Sequence, residues 1–320
     1  MNAFLGLWNT NKERRELRIV LPPPEPVEPV AKNRPMAETL FIASHGGSRN
    51  LGPMAKLTPF APVAVNLMRL FDRPDVPIHE ISRLIASDPT LTSEMLVFAN
   101  SPLFGFRTRV NDLAHAVAVL GIDRIQSIVT ALAMRSLLKG APRTPVMRRI
   151  WRHSVAASGI AEALAPVYGV AQSVAGSAAI LHDLGRVGLL TAYCEAYTRL
   201  AIQSHENPAA ILAAEQAEFG MDHCQAGALL AQAWRFPEEF RVVTARHRED
   251  PAGTLDVLSL VQTSCRLAES YNFAAIAHGD HQRTADILGA LVPEAVRPAA
   301  EERLAGIEDR LTARIESLDF

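Results

Sequence analysis

The pair His182-Asp183, set in the run Ala178-Ala-Ile-Leu-His-Asp-Leu-Gly-Arg186, is the part of this chain best suited to chemistry. An imidazole nitrogen and a carboxylate oxygen are both ligands for a divalent metal. The apolar residues before the pair, with Val187, Leu189 and Leu190 after it, predict that it lies on a helix, buried or half-buried. A buried carboxylate is costly unless it meets a cation or several donors. Something must therefore face Asp183. One candidate is a metal ion. The other is Arg186, three residues on and on the same helix face, which would neutralise it as a structural ion pair. The ion pair is the reading carried forward, with the metal as its alternative.

Two further groups could bind a ligand or a partner. Arg107 and Arg109 sit in an aromatic loop with Phe104 and Phe106, where they could stack on and clamp a nucleotide. Arg246, among Arg241, His247 and Arg248, could meet a phosphate or cap a helix end. Cys194, Cys224 and Cys265 show no paired spacing and read as reduced core thiols. Ser154 and Ser264 lack the context of a nucleophile.

The elements that must position these residues read as helices. Val63, Leu67, Leu70 and Phe71 recur at helical spacing, as do Ile78, Ile81, Leu84 and Ile85. Asp88-Pro89 caps a helix running toward Asn100, and Asp112 starts another that ends at Gly121. A long helix follows over 122–138. Beyond the Lys139–Pro145 break, helices are predicted over 147–167, 171–190, 193–204, 208–219, 222–234, 237–247 and 254–270. A tail helix over 295–317 carries Leu304, Ile307, Leu311 and Ile315 on one face, for packing within the chain or against a second copy. No alternating strand pattern appears. Residues 1–54, with Pro22, Pro23, Pro24, Pro26 and Pro29, read as a disordered leader.

The chain has 320 residues, 48% hydrophobic and 21% charged, with a net charge of −2, so it offers no overall field for gathering nucleic acid. No apolar run reaches membrane-spanning length, and nothing at the N-terminus reads as a signal peptide. These features point to a cytoplasmic protein that engages neither membrane nor nucleic acid.

The motifs together resemble the HDOD family, relatives of the HD-domain metal phosphohydrolases. The resemblance spans about 57–271. It rests on Ile85-Ala-Ser-Asp-Pro-Thr-Leu-Thr, Phe98-Ala-Asn-Ser-Pro-Leu-Phe-Gly, Ala116-Val-Ala-Val-Leu-Gly-Ile-Asp-Arg-Ile, Trp151-Arg-His-Ser, the His182-Asp183 run, Phe219-Gly-Met-Asp-His-Cys-Gln-Ala-Gly, and Trp234-Arg-Phe-Pro. It implies an all-α fold: an N-terminal helical subdomain (55–142) packed on an HD-like core (143–275), with an extension over 276–320. It also implies a bacterial signalling role with no settled enzymatic activity.

By the same resemblance, His153, His182 and Asp183 match the metal ligands of HD hydrolases, which use a metal to activate water. Their distant aspartate falls on Gln262, a neutral and weaker ligand. His223 matches a further histidine of the cyclic-di-GMP phosphodiesterase (HD-GYP) relatives. Their later His-His pair reads Arg246-His247, their lysine reads Arg186, and their Gly-Tyr-Pro signature is absent. The expectation is therefore a non-catalytic regulatory module that acts through a protein partner. A bound nucleotide or cyclic dinucleotide, a homodimer and a divalent metal remain open, and no resident cofactor is required. The alternative is a metal-dependent phosphohydrolase using His153, His182 and Asp183.

Overall fold

The computed structural model describes residues 52–318 except 72, 74, 106–107, 205–209 and 277–281. Every regular element in the described residues is helical, and none is a strand. The first half comprises α1 (Pro62–Leu70), α2 (Ile78–Ala86), α3 (Pro89–Ala99), α4 (Leu113–Leu120) and α5 (Ile122–Lys139). Asp88 accepts from the backbone N–H groups of Thr90 and Leu91, so the α3 cap forms as the sequence predicts. Asp112 does the same for α4 through His115 N–H at 2.8 Å. Gly121, at φ +88°, turns α4 directly into α5.

The Asn100 motif has a mechanical reason. Its amide donates to Leu96 O and Val110 O and accepts from Val110 N–H, so it clamps both ends of the 101–109 loop.

The second half is built around α6 (Pro145–Tyr168), a 24-residue helix. It is followed by α7 (Gln172–Leu181), α8 (Leu184–Ala192), α9 (Cys194–Gln203), α10 (Ile211–Phe219), α11 (His223–Ala233), α12 (Glu238–Arg246) and α13 (Val257–Ser270). Then come α14 (Thr284–Leu291), α15 (Arg297–Leu304) and α16 (Ile307–Leu318). One apolar cluster runs through both halves, from Met54 and Phe60 to Leu318. No single described helix is long and apolar enough to cross a membrane. The apolar pair 113–120 and 122–139 bends by 113°.

Three expectations are corrected. The predicted 171–190 helix is two helices, with His182 and Asp183 at the break. The tail helix is also two, separated at Gly306, whose φ of +63° an unbroken helix cannot hold. The leader boundary at 54 cuts a 3₁₀ turn, Gly52–Lys56, whose Met54 is buried in the core. A single apolar residue among polar ones gives no periodic signal. The rest of the leader lies outside the described residues.

The tail stripe of Leu304, Ile307, Leu311 and Ile315 is buried within the chain. Arg314 fixes α16 to α6 by a two-pronged pair with Glu162, at 2.6 and 2.9 Å.

Candidate functional site

The break between α7 and α8 is what makes a site. In an unbroken helix, adjacent side chains diverge by about 100°. Asp183, at φ −92° and ψ 19°, leaves helical geometry, and both His182 and Asp183 are buried. Gly185 then brings α8 against α11. A Cβ there would lie 1.8 Å from His223 O and 2.5 Å from Gly227 N, so only glycine permits the approach that delivers His223. His153 comes from α6, His247 from the C-terminal end of α12, and Gln262 and Cys265 from α13. None of His153, His182, Asp183, Arg186, His223, His247 and Cys265 is more than 2% exposed.

Each of the four imidazoles has Nδ1 against an acceptor. His153 Nδ1 lies 2.7 Å from Phe273 O, His182 Nδ1 2.6 Å from Ala179 O, His223 Nδ1 2.5 Å from Glu215 Oε2, and His247 Nδ1 3.3 Å from Thr244 O. A ring that donates from Nδ1 carries its lone pair on Nε2, unless it is also protonated there. The Nε2 atoms gather around Asp183. Those of His153 and His182 lie 3.8 and 3.7 Å from Oδ2, and those of His223 and His247 lie 3.7 and 3.3 Å from Oδ1. The Nε2 atoms of His223 and His247 have no hydrogen-bond partner. Outer-shell acceptors that fix the tautomer of inward-facing imidazoles characterise metal sites. Three groups fit a divalent ion, each with its ligand atoms within 4.8 Å of one another: His153, His182 and Cys265; His182, Asp183 and His247; and His223, Cys224 and His247.

Arg186 is part of the same arrangement. Its Nε donates to Asp183 Oδ1 at 3.0 Å, and its Nη1 to Tyr197 Oη at 3.1 Å and Glu215 Oε1 at 3.3 Å. Burial alone would raise the Asp183 pKa, but Arg186 and His182 outweigh it and hold the carboxyl well below its usual range. Burial pulls His247 down to about 4, against the opposing pull of Asp183, so this ring is neutral at pH 7. For His153 burial also disfavours the charge, but Cys265 and Asp183 override it and raise the value to about 9.

Glu215 and Tyr197 were not singled out in the sequence. Tyr197 Oη donates to Glu215 Oε1 at 2.7 Å, and Glu215 Oε2 accepts from the His223 backbone N–H at 2.9 Å. The available signal was a carboxylate four residues after Ile211, on the buried face of α10. Glu215 is held at about 2: burial would raise it, and His223 and Arg186 outweigh burial.

The folded value lies below the unfolded one, so the folded state binds fewer protons. The stabilisation is complete above the unfolded pKa and is lost as pH falls through the folded value. We expect about 3 kcal/mol of stability to disappear between about pH 5 and pH 2. Melting temperature followed by circular dichroism should fall over that window in the wild type. The slope should flatten in Glu215→Gln, and an unchanged slope would show that Glu215 is not the group responsible.

The remaining candidates fall elsewhere. Gln262 is buried: its Nε2 donates to Arg246 O at 3.0 Å, and its Oε1 has no partner. The Arg246 side chain is on the surface, where it pairs with Glu249 at 2.8 Å. Arg109 is exposed, while Arg107 and Phe106 lie outside the described residues. Phe104 packs edge-on against Phe98, with ring centroids 5.2 Å apart. Two surface grooves, of about 550 and 520 Å³, lie on the N-terminal helices, and neither is lined by a residue of the centre.

A chain of this fold recurs among known proteins. An uncharacterised protein of Treponema pallidum (strain Nichols) is 28% identical over 203 residues, covering 62% of this chain but only 39% of that protein. An HDOD domain protein of unknown function from Geobacter sulfurreducens superposes with a TM-score of 0.68 at 20% identity, covering 84% of this chain and 97% of the other. A protein of Shewanella amazonensis SB2B, provisionally called a phosphohydrolase, gives 0.65 at 18%, covering 84% and 97%. One of Marinobacter aquaeolei VT8, provisionally called a signal transduction protein, gives 0.65 at 19%, covering 86% and 62%. The HDOD domain profile matches residues 57–250, which is more than half of the sequence and contains His153, the His182-Asp183 pair, His223 and His247. With the fold and these residues in agreement, the chain belongs to the HDOD domain family.

Proposed function

We propose that this protein is a non-catalytic signal-transduction module that acts through a protein partner, and that its His/Asp centre, holding a divalent metal, serves the core rather than a substrate. The observation that carries this reading is closure. The imidazoles, Asp183 and Arg186 are all buried, and one carboxylate oxygen of Asp183 is already taken by Arg186. A phosphate ester needs an open ligand position and a path to it, and structural metal sites have neither. Family membership supports the signalling role.

The second reading is a metal-dependent phosphohydrolase. The convergence of four imidazole Nε2 atoms on one carboxylate favours it. A metal held by His153, His182 and Asp183 would supply Lewis acidity toward a phosphate oxygen.

The two readings separate in one assay. Wild-type protein and His182→Ala are supplied with zinc, manganese or magnesium and given bis(p-nitrophenyl) phosphate and cyclic di-GMP. We expect equal, background-level turnover from both. Turnover by the wild type that falls a hundredfold or more in His182→Ala would establish the hydrolase.

A further inference from the structure

We propose that Cys265 joins His153 and His182 in a site for a thiolate-preferring divalent cation of the zinc class, with the Asp183 carboxylate beside it. The proposal rests on the reading of the centre as a metal site and adds a thiolate ligand and a metal preference.

The geometry is the first argument. His153 and His182 each direct Nδ1 at a backbone carbonyl, so in their neutral forms both Nε2 lone pairs face each other across 3.1 Å. Two lone pairs at that distance repel, so a proton fills the gap in the metal-free protein and a cation would displace it. Cys265 Sγ lies 3.4 Å from His153 Nε2. Ordinary zinc bond lengths in a tetrahedron give edges of about 3.3 Å between two nitrogens and about 3.6 Å between nitrogen and sulfur. The observed separations lie within a few tenths of an ångström of those edges. Asp183 Oδ2, the oxygen that Arg186 Nε does not take, lies 3.7 and 3.8 Å from the two Nε2 atoms and places a carboxylate charge beside the group of His153, His182 and Cys265.

Charge is the second argument. The resemblance puts the distant carboxylate of HD hydrolases at Gln262, which is neutral. Cys265 lies three residues later on the same helix, and as a thiolate it returns the missing unit of charge. With Asp183 it balances a dication. Arg248 Nη1, 3.6 Å from Cys265 Sγ, favours the charged form of the sulfur, and that arginine is itself paired with Glu269 at 3.0 Å. A set of two imidazoles, a thiolate and a carboxylate suits zinc or cobalt, whereas magnesium prefers oxygen ligands.

Cobalt(II) reports the ligands directly. The full chain, purified under reducing conditions, is titrated with cobalt and its absorption recorded, with Cys265→Ser, Cys224→Ser and His182→Ala in parallel. We expect intense visible bands of tetrahedral cobalt and a near-ultraviolet thiolate-to-cobalt band in the wild type and in Cys224→Ser. The near-ultraviolet band should be absent from Cys265→Ser. Zinc, but not excess magnesium, should abolish the spectrum. Zinc affinity in Cys265→Ser should fall by more than the roughly 10–100-fold that loss of an outer-shell partner costs.

Cobalt bound without a thiolate band, or a band lost only in Cys224→Ser, would overturn the role of Cys265 and leave the metal reading standing. No cobalt or zinc bound by folded wild-type protein would overturn both. The wild-type and Cys224→Ser spectra together decide between these outcomes even if Cys265→Ser does not fold.

Discussion

Gly185→Ala is expected to be among the most damaging single-methyl changes in this protein. The added Cβ would sit 1.8 Å from His223 O and 2.5 Å from Gly227 N, both of them backbone atoms. Backbone atoms in two packed helices cannot move aside singly, so α8 must separate from α11 along its length. Overpacking ordinarily costs 1–3 kcal/mol, and forcing two backbones apart should exceed that, so we expect a loss of about 4 kcal/mol or more.

Gly188→Ala is the matched comparison. Its Cβ would meet Leu230 Cδ1 at 2.7 Å and Met54 Sδ at 3.1 Å, the ends of flexible side chains that can rotate. We expect about 1–3 kcal/mol there. Urea denaturation of both variants measures the difference. Equal stabilities would mean that the close approach at Gly185 is not what holds α8 to α11. If Gly185→Ala remains folded, its cobalt spectrum should also change, because the shifted helix begins beside Asp183 and carries the substitution two residues after it.

The helices were legible in the sequence because their apolar residues recur at helical spacing and because Asp88, Asp112 and Gly121 punctuate them with ordinary local chemistry. The His182-Asp183 pair was legible as a buried pair, but its backbone was not. No proline or glycine marks the turn between Leu181 and Leu184, and apolar residues continue on both sides, so periodicity carries straight through it.

Glu215 and Tyr197 illustrate a second limit. Each is a single polar residue on a helix face, and what makes them functional is a meeting with Arg186 and His223 that only the tertiary packing creates. Cys265 illustrates a third. A lone buried cysteine usually packs as a small apolar residue. It becomes a candidate ligand only once His153 Nε2 is found 3.4 Å away. The choice first posed at Asp183, arginine or metal, also dissolves in three dimensions, because a carboxylate has two oxygens and the fold gives each a different neighbour.

Arg186→Met tests that division of labour. The side chains are of similar reach, so the change removes charge and donors with little loss of volume. It leaves Asp183 without its 3.0 Å donor and Glu215 and Tyr197 without the guanidinium that bridges them. Breaking a buried pair by removing one partner costs about 3–5 kcal/mol, because the charge left behind is neither solvated nor paired. We expect a loss of that size in urea denaturation of the metal-free protein. Arg186→Lys should recover little of it, since a single ammonium group cannot span the two carboxylates as a guanidinium does. Zinc should then act unequally. In the wild type it adds to a carboxylate already half compensated, whereas in Arg186→Met it is the only cation left beside Asp183 and should raise the midpoint more. A metal-free Arg186→Met protein within 1 kcal/mol of wild type, on the order of an exposed pair, would mean that Asp183 is not held as an anion by Arg186. The weight of the centre would then rest on the imidazoles alone.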